Sequence, residues 1–417
     1  AAGRFALVVT VRLGEEILAE QSVAVQGPTT PLEIGIEALR NGQDQTRLLW
    51  SPEHPTLLDI EIVLQDKNSG QVIDTVAGYT GFRSVSVGGG AFRLNGQPYY
   101  LRSVLNQGYR PQTHLASTGS AELRAEVEQI LALGFNSVRI HQKAEDPRFL
   151  FWADRIGLLV WAETAGAYTY SATAVELLTT EWMDLVRRDR SHPSVVTWVP
   201  VNESWGVQDI AVSTAQQNFS QALASLTRAL DPSRPVMSNE GWEHVDSDIL
   251  GLHDYTSVAD ELLARYGTAE AAEAMVRSAH GPQGRRPIVS ERQLTTYLAG
   301  DAPLMLTEFG GISLSSAEED WGYASTGTAD EYAALVGSLF AAVRASKDVV
   351  GYCYTQYMDT GQETNGLLFA DGTPKLPMST LRQIVTGVVE ADEKKPIRPW
   401  AGRTDGPDRS PVGCEKL

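Results

Sequence analysis

VVTWVPVNE, residues 195–203, is apolar for most of its length and then ends in Asn202 and Glu203. An ionised carboxyl group buried without a partner is costly. The run therefore reads as a strand that stops at a solvent-facing rim, and a glutamate at such a rim is a candidate reagent. What lies on either side decides which fold presents a strand end this way.

Seven more strand-like runs flank it: YYLRSVLN (99–106), SVRIH (137–141), LLVWAE (158–163), VMSNEG (236–241), LGLHDY (250–255), LMLTEFG (304–310) and VVGYCYTQY (349–357). Between them, residues 121–134, 174–190, 216–230 and 331–346 space their apolar residues at the helical period. Alternating units of this kind over about 300 residues match a (β/α)8 TIM barrel. The crossover from the fifth run to the sixth is too short to show a clear helix.

Residues 1–87 read differently. FALVVTVRL, ILAEQSVAV, TRLLWS, LLDIEIVLQD and TGFRSVSV are short and rich in β-branched residues, with turn signals at Gly27-Pro28, Asn41-Gly42 and Asn68-Ser69-Gly70. That pattern predicts a small antiparallel immunoglobulin-like β-sandwich. Gly88-Gly89-Gly90 marks the junction to a barrel over 88–390. The Pro-, Arg- and Asp-rich stretch 391–417 reads as a C-terminal extension. The expected fold class is thus multidomain, a β-sandwich followed by a barrel.

With 417 residues the chain is too long for one ordinary core, and 42% hydrophobic with 21% charged residues describes a soluble globular protein. A net charge of −18 argues against a nucleic-acid partner, because phosphates need a basic face. No apolar run is long enough for a membrane span. The first residues lack the charged-then-apolar layout of a signal peptide. Cys353 and Cys414 are the only cysteines, so a disulfide framework is not expected. The redox compartment stays open between cytoplasm and secretion, with the cytoplasm favoured.

Barrel enzymes place their chemistry at the C-terminal ends of the strands. Glu203 ends the fourth run and Glu308, in PLMLTEFGG, ends the seventh. Two carboxyl groups facing each other across a barrel mouth suffice for glycosidic bond cleavage, one donating a proton and one attacking. Each glutamate could equally be an ordinary rim charge. Asn202 beside Glu203 favours chemistry, since an amide there can hold a sugar hydroxyl next to the cleavage point.

RRDRSHPSVVTWVPVNES (187–204) resembles the acid/base signature of glycoside hydrolase family 2, which includes β-galactosidases, β-glucuronidases and β-mannosidases. TEFGG (307–311) is similar to that family's nucleophile segment, and AFRLNGQPYYLRSV (91–104) with GFNSVRIH (134–141) resembles the opening of its barrel. The resemblance implies that Glu203 is the general acid/base and Glu308 the nucleophile. It further implies that Arg139 braces the nucleophile and Tyr255 hydrogen-bonds it. The jelly-roll domain that usually opens such proteins has no match in these residues. The eighth run offers Tyr354, Gln356 and Tyr357 where a tryptophan is common. Glu363-Thr364-Asn365 precedes Gly366 where glucuronidases carry an Asn-x-Lys motif, which disfavours a glucuronide.

Further pocket candidates are Asn106, Gln107 and Tyr109 after the first run, and His141, Gln142 and Lys143 after the second. Trp242 is expected to stack on sugar more than Trp161 does. Glu163 and Glu240 also end strands but lack a motif. Alternation points His253 and Tyr255 into the lumen and Asp254 out of it, toward a structural ion pair. His192-Pro193 falls at the opposite end of the barrel and reads as stability.

The expected function is a retaining, exo-acting glycoside hydrolase that cleaves a terminal neutral sugar, β-galactosidase-like, by double displacement. Its partner is an oligosaccharide or glycoside substrate. This chemistry needs no metal or organic cofactor, and no convincing metal-ligand cluster is visible. The rival readings are a furanosidase, such as a β-galactofuranosidase, and a carbohydrate-binding barrel without catalysis. No motif encodes the aglycone, the linkage or the oligomeric state.

Overall fold

The computed structural model describes residues 3–40, 42, 44–315 and 319–388. The extension 391–417, with Cys414, lies outside the described residues. Two compact units result. One comprises residues up to Trp50 together with Thr56–Phe82; the other comprises Ser51–Pro55 and Arg83–Val388.

The first unit is a four-stranded antiparallel sheet, in the order Glu16–Ala24, Phe5–Leu13, Leu58–Asp66, Val72–Thr80. Val11, Ile36, Leu48 and Leu58 form its buried cluster. Two expectations change here. TRLLWS contributes a 3-10 turn, Gln45–Leu48, in place of a strand. The strand Val72–Thr80 arises from a stretch whose Val72, Ile73 and Val76 stay exposed. Among the described residues the unit has one sheet where a two-sheet sandwich was expected.

In the second unit, a small antiparallel sheet (Val85–Gly88, Ala91–Leu94, Gln97–Pro98) precedes a parallel barrel. Barrel strands one to four are Leu101–Asn106, Ser137–Ile140, Leu159–Glu163 and Val195–Val199; strands six to eight are Leu250–Asp254, Leu304–Gly310 and Val349–Thr355. The fifth position is an extended segment joined to the fourth by parallel bridges Trp198↔Val236 and Asn202↔Glu240. No helix separates it from the sixth strand. The helix Pro147–Ile156, too short for the periodicity to reveal, starts on the Asp146 cap with a proline in its first turn.

Two features aim the strands. Outward side chains such as Val104, Val138 and Val160 pack with Leu123, Val127 and Ile130 of the helix Ser120–Ala132 in one core. At the opposite end, Asp154 accepts from His192 Nδ1 (2.5 Å) and the Ser194 amide (2.9 Å), while Arg234 donates to the carbonyls of His192 (2.7 Å) and Val195 (2.6 Å). The His192–Ser194 segment thus anchors where strand four begins. Among the described residues, no helix is long and apolar enough to cross a membrane.

Candidate active site

Arg139 is the hub of the barrel mouth. Its fully buried guanidinium reaches Glu163 Oε2 (2.9 Å), Glu240 Oε2 (2.7 Å), Glu308 Oε1 (2.7 Å) and Asn202 Oδ1 (2.6 Å). From strand two, Arg139 thus gathers partners at the ends of strands three, four, five and seven. A planar fork with several donors suits this task.

Glu308 also accepts a hydrogen bond from the Tyr255 hydroxyl, which lies 3.2 Å from Thr355 Oγ1. The Tyr255 ring stacks on Tyr323 with centroids 3.4 Å apart. Burial pushes the Glu308 carboxyl above the ordinary range, with His253 and Arg139 opposing it. Its position depends on a register slip. Leu252 pairs with Leu306 and His253 with Glu308, so Thr307 is an extra residue that brings Glu308 level with His253.

Glu203 reaches the mouth through a backbone departure. Strict alternation would turn it away from Asn202. Glu203 and Ser204 both take left-handed conformations, with φ of 50° and 58°, which turns the chain back toward the lumen. Such positions cost about 1 kcal/mol or more each and cluster at functional sites. The Glu203 amide donates to the Glu240 carbonyl at 2.9 Å, and the Ser204 amide to Asn239 Oδ1 at 3.0 Å, which hold the turn. An oxygen of Glu203 lies within 4.8 Å of an oxygen of Glu308.

Asn202 keeps its Nδ2 buried and without a protein hydrogen bond among the described residues, a donor free for a ligand. His141, with its side chain 19% exposed, sets Nδ1 at 4.0 Å from Glu308 Oε1. Burial and Arg139 lower His141 to about 3, leaving a neutral imidazole. Trp242 is half-buried, donates to Ser204 Oγ (3.2 Å) and meets His253 edge-on at 5.5 Å.

One expectation is corrected, and two further residues are found in dense hydrogen-bond surroundings. Asn106 pairs with Ile140 while Leu105 pairs with Arg139, so Asn106 faces out of the lumen, bonded to Glu126 and the Gly108 amide. His253 does point inward, yet its side chain is 0% exposed, with Nδ1 2.6 Å from Glu203 and Nε2 2.5 Å from Glu240. Its ring nitrogens are thus engaged by carboxylates. Gln356 is engaged with Asn365 Oδ1 (2.7 Å), Glu363 (3.2 Å) and Gln107 (3.1 Å) in a rim network beside the mouth.

Asp254 is paired as alternation expects, with Arg265 at 2.7 Å and Tyr266 at 3.0 Å. Lys143 is taken up by Glu145 at 3.0 Å. Glu163 and Glu240 belong to the hub although no motif marks them. Burial raises Glu163 to about 7. At Glu240 burial also pushes upward, but Arg139 and His253 outweigh it and hold the carboxyl at about 2. Both end strands on the lumen side, the one signal that could have found them. Tyr323 comes from a loop and carried none.

Residues 85–310 match the family model described as glycosyl hydrolases family 2, TIM barrel domain. A putative β-glucuronidase of Formosa agariphila is 31% identical over 208 residues, 47% of this chain and 24% of that protein. A β-galactosidase of Vibrio cholerae is 31% identical over 203 residues, 46% of this chain and 19% of that protein. Each match spans well under half of the relative's own length. Among solved structures, a β-glucuronidase of Parabacteroides merdae aligns with a TM-score of 0.70 at 17% identity, covering 92% of this chain and 48% of that one. That likeness is one of fold.

Proposed function

Since this chain belongs to the glycosyl hydrolases of family 2, we propose that it is a retaining, exo-acting glycosidase for a terminal neutral sugar. Glu308 attacks the anomeric carbon as Glu203 protonates the departing glycosidic oxygen, giving a glycosyl-enzyme. Glu203 then takes a proton from water, whose oxygen displaces Glu308 from the sugar. One observation carries the reading: the approach of Glu203 and Glu308 to within 4.8 Å, oxygen to oxygen. Retention calls for carboxyl groups about 5–5.5 Å apart, whereas inversion needs about 6.5 Å or more for an intervening water. Arg139 and the Tyr255 hydroxyl supply the donors that favour an ionised nucleophile. Asn202 Nδ2 offers a sugar hydroxyl its donor.

A uronide reading has one observation in its favour, the 31% identical relative named a putative β-glucuronidase. Against it, the rim beside Gln107 and Gln356 presents the Glu363 carboxylate. For the rest of the chain we keep the division into an immunoglobulin-like domain over 1–87, the barrel over 88–390 and the extension 391–417. The antiparallel pairing of the first unit supports its first member.

A panel of nitrophenyl β-glycosides tests the function: galactoside, glucoside, mannoside, glucuronide and galactofuranoside. Release from a neutral hexoside with the β-anomer as first product is the expected result. Preference for the furanoside would select the furanosidase reading. Binding without turnover throughout would select the non-catalytic barrel.

A further inference from the structure

His253 is the charged centre of the mouth that the two-glutamate chemistry leaves unused. Nδ1 lies 2.6 Å from Glu203 Oε1; Nε2 lies 2.5 Å from Glu240 Oε2 and 3.4 Å from Glu308 Oε1. An imidazole can donate to carboxylates from both nitrogens only when both carry protons. The fold makes room for it. Gly241, with φ +95°, lies so close that an added Cβ would sit 2.7 Å from the ring.

We propose that His253 is a positioning residue for the acid/base: clamped between Glu240 and Glu203, it fixes which Glu203 oxygen faces the leaving group. This role rests on the reading of Glu203 as acid/base. Pinning Oε1 leaves Oε2 to meet the glycosidic oxygen. The groups facing the ring are Glu203, Glu240 and Glu308 from strands four, five and seven, and Arg139 from strand two at 3.5 Å. His141, His244, Trp242 and Tyr255 complete the shell. Burial alone would strip the proton from His253, but the attraction of Glu240 and Glu308 and the hydrogen bonds to Glu203 and Glu240 outweigh it, raising the imidazole to about 10.

Only a poor leaving group depends on proton donation from Glu203, whereas a good one departs with little help. Misorientation of that carboxyl therefore penalises the poor leaving group selectively. Loss of a merely structural residue would lower activity on both to the same extent.

The test compares wild type with His253→Asn on a methyl β-glycoside and on its dinitrophenyl counterpart, with NMR of the wild-type His253 ring nitrogens in parallel. His253→Asn should lower kcat/KM for the methyl glycoside at least about tenfold more than for the dinitrophenyl glycoside, which needs little protonation. Wild-type His253 should keep both ring protons at about pH 8, where a free imidazole is neutral. Equal losses on the two substrates, or a neutral His253 at that pH, would overturn the clamp. Should His253→Asn fail to fold, Glu240→Gln serves instead: the imidazolium should titrate at lower pH and the methyl glycoside should again lose more, and constancy of both overturns the role. If wild type hydrolyses no glycoside the glycosidase reading fails, while the His253 titration still decides the clamp.

Discussion

At the scale of single residues, the two glutamates differ in what surrounds them, and this separates their expected roles. Glu308 is buried against Arg139 and the Tyr255 hydroxyl, while Glu203 has a side chain 23% exposed whose carboxylate meets His253. A group that attacks needs fixed donors on its charged form; one that exchanges protons with a leaving group and with water needs an open side. Glu308→Gln should therefore abolish turnover and prevent covalent trapping by a 2-fluoro glycoside. Glu203→Gln should still be trapped when the fluoro sugar carries a dinitrophenyl leaving group, because such a group departs with little help from an acid. Mass spectrometry of proteolytic peptides reads the outcome. Label on a peptide without Glu308 would reverse the roles.

Between elements, strand ends must approach closely for the hub to form, and Gly241 marks one such place, against the His253 ring. Its φ of +95° and the 2.7 Å clearance to the His253 ring leave no room for a methyl group. Gly241→Ala combines backbone strain with overpacking, costing about 1–3 kcal/mol for the packing alone, and it displaces the ring that holds Glu203. Gly284, at φ +72° with nothing nearby, carries only the backbone component. Gly241→Ala should lower both Tm and kcat, and Gly284→Ala should lower Tm slightly with kcat retained; equal effects of the two would contradict this packing. The same closeness explains what was legible in the sequence. Strands buried on both faces are near-continuous apolar runs, so all eight barrel positions stood out, and Glu203 and Glu308 with them through their motifs. Asn106 was misplaced because a run of apolar letters does not say which parity faces the lumen; only the Leu105↔Arg139 register does. Glu163 and Glu240 were passed over because their role lies in a guanidinium contributed by another strand. TRLLWS has the letters of a strand, but tertiary packing of Leu48 fixed it as a turn.

Over the molecule as a whole, charge bears on which sugars are accepted. The chain carries 52 acidic against 34 basic residues, a net charge of −18, and such a field slows the approach of an anion. Close to the site the same sign prevails. Glu363 stands at the rim, Lys143 is paired with Glu145, and the side chain of Lys375 is 0% exposed on Asp359 at 2.7 Å. Recognition of a uronate is strongest when a cation faces its carboxylate through charge-assisted hydrogen bonds worth about 1.5–3 kcal/mol. Losing that attraction should cost at least about tenfold, since about 1.4 kcal/mol is that factor. The expected outcome is a lower kcat/KM for a β-glucuronide than for the matching neutral hexoside at neutral pH. The long-range part of the gap should shrink as salt is added, because the Debye length falls from about 10 Å at 0.1 M to about 3 Å at 1 M. The part due to Glu363 acts at contact and should persist. Arg285 is the residue placed to reverse this: its guanidinium lies 5.7 Å over the Trp242 ring and 3.4 Å from Glu243, with the side chain 38% exposed. A clear preference for the glucuronide would overturn the neutral-sugar reading, and its loss in Arg285→Gln would then identify the cation that the uronate had found.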